Sequence, residues 1–182
     1  MFPDLKENKK KYLRRLAMAL LIVAVAILQC TPHLLPRIGT ACGAPVLVLC
    51  ICAAMFDAEL PAAFLGLAGG LLWDVNAMRG EGYHSIFLFV FCFAVSFLMR
   101  HFMRSNFLSA LMLCLVGTAL HDVFYWLFFF VIPFAIDGVA GAGHLFISNT
   151  LPGIVYTAVF IPIFYFFVRF IARSLPDPDV ER

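Results

Sequence analysis

No charged residue occurs from Leu16 to Pro36, and the same gap recurs from Ile38 to Phe56, Gly82 to Met99, Ser105 to His121 and Gly138 to Val168. An α-helix needs about 20 apolar residues to cross a hydrocarbon layer about 30 Å thick. Gaps of this length recur too often for a single anchor, so they confine the chain to an all-α integral membrane protein. Composition agrees. The chain is 63% hydrophobic and 13% charged, where a soluble domain is about 25% charged. Its mean hydropathy is +0.96. The 182 residues suit one domain.

The pattern predicts six transmembrane helices in a compact bundle, at about 16–31, 41–56, 61–78, 85–103, 107–134 and 149–171. Pro61 and Pro152 fit first turns, where a missing N–H is not needed. Pro162 lies inside the sixth span and should kink it. A five-span chain, with 41–78 folded as a re-entrant hairpin, is the alternative. Around the spans lie a basic tail at 1–15 and a short polar tail at 174–182, expected to be mobile. The membrane domain is 16–173.

Basic residues set the expected orientation. Lys6, Lys9, Lys10, Lys11, Arg14 and Arg15 precede the first span. Arg100 and Arg104 lie between spans four and five, and Arg169, Arg173 and Arg182 close the chain. Only Arg37 and Arg79 fall on the other side. Cytoplasmic loops carry the excess of Lys and Arg, so both termini are expected in the cytoplasm. Lys9, Lys10, Lys11, Arg14, Arg15, Arg100 and Arg104 are then candidates for contact with anionic lipid or a cytoplasmic partner. The first span is read as uncleaved, because no small-x-small site follows it and Gln29 spoils a lipoprotein box at Cys30.

The six cysteines offer no metal spacing, since Cys50 and Cys52 point to different helix faces. Cys30 and Cys42 are placed to meet at the outer ends of the first two spans. No HExxH or GxSxG motif occurs, which leaves an acid pair, Asp74 with Asp122, as the only enzymatic candidate. Neither a cofactor nor nucleic acid is expected as a ligand.

The informative polar residues sit within the spans. Ala62, Gly66 and Gly70 recur every fourth residue, and Asp74 continues the series. Residues four apart share a helix face, and small residues let helices approach closely in lipid. This face is a candidate for helix packing and partner binding. In span five, Gly117, Thr118, His121, Asp122 and Tyr125 share one arc. An intramembrane carboxylate is costly without a partner. Asp74, His84, His121, Asp122 and Asn149 are therefore expected to form one polar cluster in the outer half of the bundle. Among the aromatic residues, Trp73, Trp126 and Tyr165 are candidate interface anchors.

The stretch GLLWDVNAMRGEGYHSIFLFVFCFAVSFLMRHFMR resembles the rod shape-determining protein MreD family. The positions that carry the resemblance are Gly70, Leu71, Leu72 and Asp74, then Gly82 and His84, with Arg100 and Arg104 closing the helix. Asp122 in LHDVFYW and Asn149 in SNTLPGIVYTAVFIPIFYFFVRFI add to it. Trp73, the pair Arg79 and Glu81, and the long basic tail depart from the pattern. The resemblance implies a fold like the substrate-binding subunits of energy-coupling-factor transporters. It implies a non-enzymatic subunit of the bacterial elongation machinery in the cytoplasmic (inner) membrane. That subunit would bind an MreC-like bitopic protein and, through it, the MreB filament and the peptidoglycan synthase pair. The alternative is a small-solute-binding subunit of a coupling-factor transporter. Against it, the alanines of the first span, Ala17, Ala19, Ala24 and Ala26, have no alanine four residues on.

Overall fold

The computed structural model describes residues 4–31, 43–76, 82–103, 105–132 and 151–175. All secondary structure in these residues is helical. The helices are α1 (Asp4–Cys30), α2 (Pro45–Ala54), α3 (Glu59–Asn76), α4 (Tyr83–His101), α5 (Phe107–Trp126), α6 (Leu151–Ala158) and α7 (Phe160–Ser174). A five-residue π-helical turn, Leu127–Val131, prolongs α5.

Among the described residues, four stretches are long and apolar enough to cross a membrane: Lys9–Cys30, Tyr83–His101, Phe107–Phe129 and Pro152–Ser174. Their outward faces are greasy. Leu20, Val90, Ile163 and Phe166 are each more than half exposed. A water-soluble surface rarely carries so much contiguous apolar area. The chain is a multi-pass membrane protein.

The helix α2 is the axis of the bundle. Its sequence, PVLVLCICAA, is apolar on every side, and all ten residues are buried. A helix without a polar face stays stable in the middle of other helices, and α2 packs against α1, α3, α4, α5 and α7. Ten residues rise about 15 Å, half the hydrocarbon thickness. The second span expected at 41–56 is thus a short enclosed helix there, and residues 41 and 42 lie outside the described residues.

The last span breaks where its proline dictates. A proline cannot donate to the carbonyl four residues earlier and its ring crowds that carbonyl. For Pro162 that residue is Ala158, the last of α6. The Val159 N–H instead bonds the Tyr156 carbonyl at 3.3 Å, a tighter turn, before α7 resumes at Phe160.

The helices α3 and α4 form the closest pair. A methyl group on Gly66 would lie 2.5 Å from the Leu88 carbonyl oxygen, and one on Gly70 would lie 2.6 Å from that of His84. The two glycines therefore let the α4 backbone rest directly on α3. Ala62 on the same face is also buried. The face expected to serve packing or a partner is occupied by the chain's own α4, so a partner's helix cannot lie on it.

Replacing Gly66 or Gly70 with Val should force these helices apart. Overpacking of this kind costs about 1–3 kcal/mol or more. The expected result is a clearly lower Tm in detergent, read by size-exclusion chromatography after heating. Gly82 has positive φ, 84°, and a Cβ built there would meet nothing within 4 Å among the described residues. There Gly82→Asn should be milder than Gly82→Val, because asparagine tolerates the left-handed region and branched residues do not.

Candidate functional site

Asp74 stands near the end of α3, opposite the first turn of α4. Its Oδ1 accepts the His84 N–H at 3.2 Å and its Oδ2 accepts the Ser85 N–H at 2.9 Å. The Ser85 hydroxyl also donates to Oδ2, and His84 Nδ1 lies 2.7 Å from Oδ1. The first N–H groups of a helix have no partner within it. An acceptor there normally comes from the N-cap side chain, but the N-cap of α4 is Gly82, which has none. Asp74 supplies the cap from another helix. Its negative charge also meets the positive end of the α4 dipole.

A second carboxylate–imidazole pair faces the first. His121 Nδ1 lies 2.9 Å from Asp122 Oδ1. The two imidazole centroids are 5.2 Å apart. Trp73 stacks on both, with centroids 4.2 Å from His84 and 5.2 Å from His121. The Tyr83 hydroxyl donates to the His121 carbonyl at 2.8 Å, which ties α4 to α5. Both imidazoles put Nδ1 against a carboxylate, and His121 Nε2 is buried with no hydrogen bond among the described residues. Chemically this is a pair of imidazoles, each oriented by a carboxylate at Nδ1. No group of three or more His, Cys, Asp or Glu among the described residues is placed to hold a metal.

The opposite end of the bundle is built on arginine. α4 spans 19 residues, which separates the two ends by about 28 Å. Asp57, which follows α2, is buried, and its Oδ1 lies 3.4 Å from Arg14 Nη2 and 3.2 Å from Arg15 Nη2. Arg14 Nη2 also donates to the Phe56 carbonyl at 2.8 Å. Ser96 donates to the Asp57 carbonyl at 2.6 Å. Arg100 pairs with Glu59 at 2.9 Å nearer the surface. Between these groups lies a cavity of about 650 Å³, lined by Arg14, Asp57, Ser96, Arg100, Arg169 and Arg173 among others.

Four members of the expected polar cluster, Asp74, His84, His121 and Asp122, do come together at one end. Asn149 lies outside the described residues, as does Arg104. Of the residues expected to touch lipid or a partner, Lys9 and Lys10 are exposed and Lys11 is half-buried. Arg14 is not available for that role. It is 2% exposed, because its guanidinium turns inward to Asp57. Arg15 joins it there. Cys30 is a free thiol, as are Cys50, Cys52, Cys92 and Cys114. The sequence reading overlooked Asp57 and Glu59 and took Arg169 and Arg173 as orientation signals alone. It also valued Trp73 as an interface anchor, where the structure uses it to clamp two histidines.

Truncation of these acids should rank by burial and by the partners left behind. Asp57→Ala removes the buried carboxylate that Arg14 and Arg15 share and should cost about 3 kcal/mol or more. Asp74→Ala removes a cap and should cost about 1–2 kcal/mol, with Asp74→Asn milder because one oxygen remains. Glu59→Ala breaks a partly exposed pair and should cost less than about 1 kcal/mol. Thermal melts of the three alanine variants in one detergent check the order, and equal Tm values would refute it. No protein-family model, no curated protein and no solved structure matches this chain.

Proposed function

We propose that this chain is a non-enzymatic, MreD-like subunit of the bacterial cell-elongation complex. In this reading it resides in the cytoplasmic membrane and binds an MreC-like bitopic protein. Through that partner it helps couple the MreB filament to lateral peptidoglycan synthesis and rod shape. The observation that carries the reading is how the acids are used. Asp57 holds Arg14 and Arg15, Asp74 caps α4, and Asp122 holds His121. A general acid or base must reach the proton it moves, whereas Asp57 joins α1 to the turn after α2 and Asp74 joins α3 to α4.

The residues behind the family resemblance acquire a physical reason. Gly70 brings the helices close, Asp74 caps, Gly82 turns the chain without a side chain of its own, and His84 answers the acid. This supports an MreD-like arrangement of six helices. Arg14 of α1 and Arg173 of α7 line the same cavity, which supports a chain whose two termini share a side. The positive-inside rule makes that side cytoplasmic. The partner's helix is left with the outer apolar surfaces, because α4 takes the small-residue face of α3.

The alternative is a solute-binding subunit of a coupling-factor transporter. The cavity of about 650 Å³ favours it by size, since small-molecule sites run from about 300 to 1,000 Å³. Its place does not favour it. An uptake subunit captures its solute from outside, and this cavity lies at the arginine-rich end.

Coexpression with an MreC-like protein, followed by affinity purification in mild detergent, is expected to yield a stoichiometric complex. Clean separation of the two proteins would count against the MreD-like reading. A small molecule that purifies with the chain alone, and is released on unfolding, would favour the transporter.

A further inference from the structure

We propose that Cys52 and Cys114 form a modification site, a buried thiol pair that a lipid-soluble quinone oxidises to a disulfide joining α2 to α5. The inference needs only that the chain spans a membrane, and it stands whether or not the partner is MreC-like.

Four free thiols lie in the core: Cys50, Cys52, Cys92 and Cys114. A buried thiol ordinarily packs as a small apolar group, and that role accounts for two of them. A methyl group on Gly69 would lie 2.5 Å from Cys50 Sγ, and one on Gly66 would lie 2.8 Å from Cys92 Sγ. Those thiols fill the room that the glycines of α3 leave. Cys52 and Cys114 differ, because each has the other's sulfur as its neighbour. They are 62 positions apart in sequence, on α2 and α5, and their sulfurs are 3.8 Å apart. Bonded sulfurs are about 2.05 Å apart, so the two must close by less than about 2 Å. A soft metal ion is the poorer product of this pair. It would need two thiolates and so bury charge in an apolar core, and no group of three donors stands ready for it among the described residues. A disulfide is neutral and suits its surroundings.

Access selects the oxidant. Cys52 and Cys114 are both 0% exposed, so glutathione and other water-borne reagents do not reach them in the closed bundle. A quinone partitions into the hydrocarbon, and α5 is a helix it meets there, since Met112 and Val116 are exposed on the face opposite Cys114. Local opening is the ordinary route to a buried group. When α5 lifts from α2, Cys52 and Cys114 are uncovered together, while Cys50 and Cys92 stay against α3. Two S–H bonds then break and one S–S bond forms. The two protons and two electrons pass to the quinone, which leaves as the quinol. Once α5 closes again, the new bond lies where water-borne reductants do not reach it. The cross-link ties α5, which carries His121 and Asp122, to the enclosed axis of the bundle.

The test uses the full chain in lipid nanodiscs, treated with duroquinone, whose fully methylated ring leaves no open position for a thiol to add. The thiols that remain are alkylated after unfolding without reductant, and the peptides are mapped by mass spectrometry. The expected product is one link within the chain, Cys52 to Cys114, lighter by two hydrogens, with Cys50 and Cys92 alkylated. Cys52→Ala and Cys114→Ala, made separately, should each abolish the link. Should one variant fail to fold, judged by size-exclusion chromatography, the other carries the comparison. Absence of the link in the folded parent chain would overturn the proposal. So would a main product that survives either substitution, or linkage no more selective than in the chain unfolded by SDS. Oxidised glutathione is the water-soluble control, and an equal yield from it would overturn the quinone assignment.

Discussion

A helix that ends inside a membrane bundle leaves polar backbone groups where there is no water to satisfy them. Each such group costs on the order of 1–3 kcal/mol if left alone. This structure meets that constraint with side chains lent by neighbouring helices. At the start of α2, Gln29 of α1 accepts the Val46 N–H at 3.0 Å and Thr157 of α6 accepts the Ala44 N–H at 3.1 Å. Just past its end, Arg14 and Ser96 donate to the carbonyls of Phe56 and Asp57. At the start of α4 the lender is Asp74. The polar residues of the bundle are distributed by the positions of helix ends. That is why so short a helix as α2 can sit fully enclosed at the centre.

The same constraint explains which parts of the structure were legible in the sequence. Uncharged intervals gave the membrane class and most helix limits, because desolvation acts on every residue of a span. The four-residue spacing of Ala62, Gly66, Gly70 and Asp74 showed that they share a face. What it could not show was that the face belongs to α4, or that Asp74 is an N-cap. A cap given by another helix depends on docking and leaves no local pattern. The nearest signal was Gly82, a residue at the start of α4 with no side chain to cap it. Gln29 and Thr157 had no signal at all, since each is a single polar residue whose partner lies 17 or 113 positions away.

Asp57 is a different case, because the information was present and unused. Under the six-span reading, the turn after the second span returns to the end that carries the basic tail. An isolated acid in that turn should then meet Arg14 and Arg15, as it does. Counting positive residues gives only an orientation. Asking which acids share their side gives the pairings as well, and it would have moved Arg14 from the lipid-facing set to the interior. The shortness of α2 escaped for another reason. Its composition matches that of a longer span, and a buried helix and a crossing helix are equally apolar.

The two ends of the bundle are thus held by opposite strategies. At the Asp74 end every described acid has an imidazole or N–H partner, and the rings of Trp73, His84 and His121 fill the space between them. Such a cluster is closed, and what it does best is fix the angle between α3, α4 and α5. At the other end, Asp57 ties three segments together, with Arg14 and Arg15 of α1 on its carboxylate and Ser96 of α4 on its carbonyl. One end of the bundle is filled by stacked rings, and the other encloses a cavity lined by Arg14, Asp57, Ser96, Arg100, Arg169 and Arg173 among others.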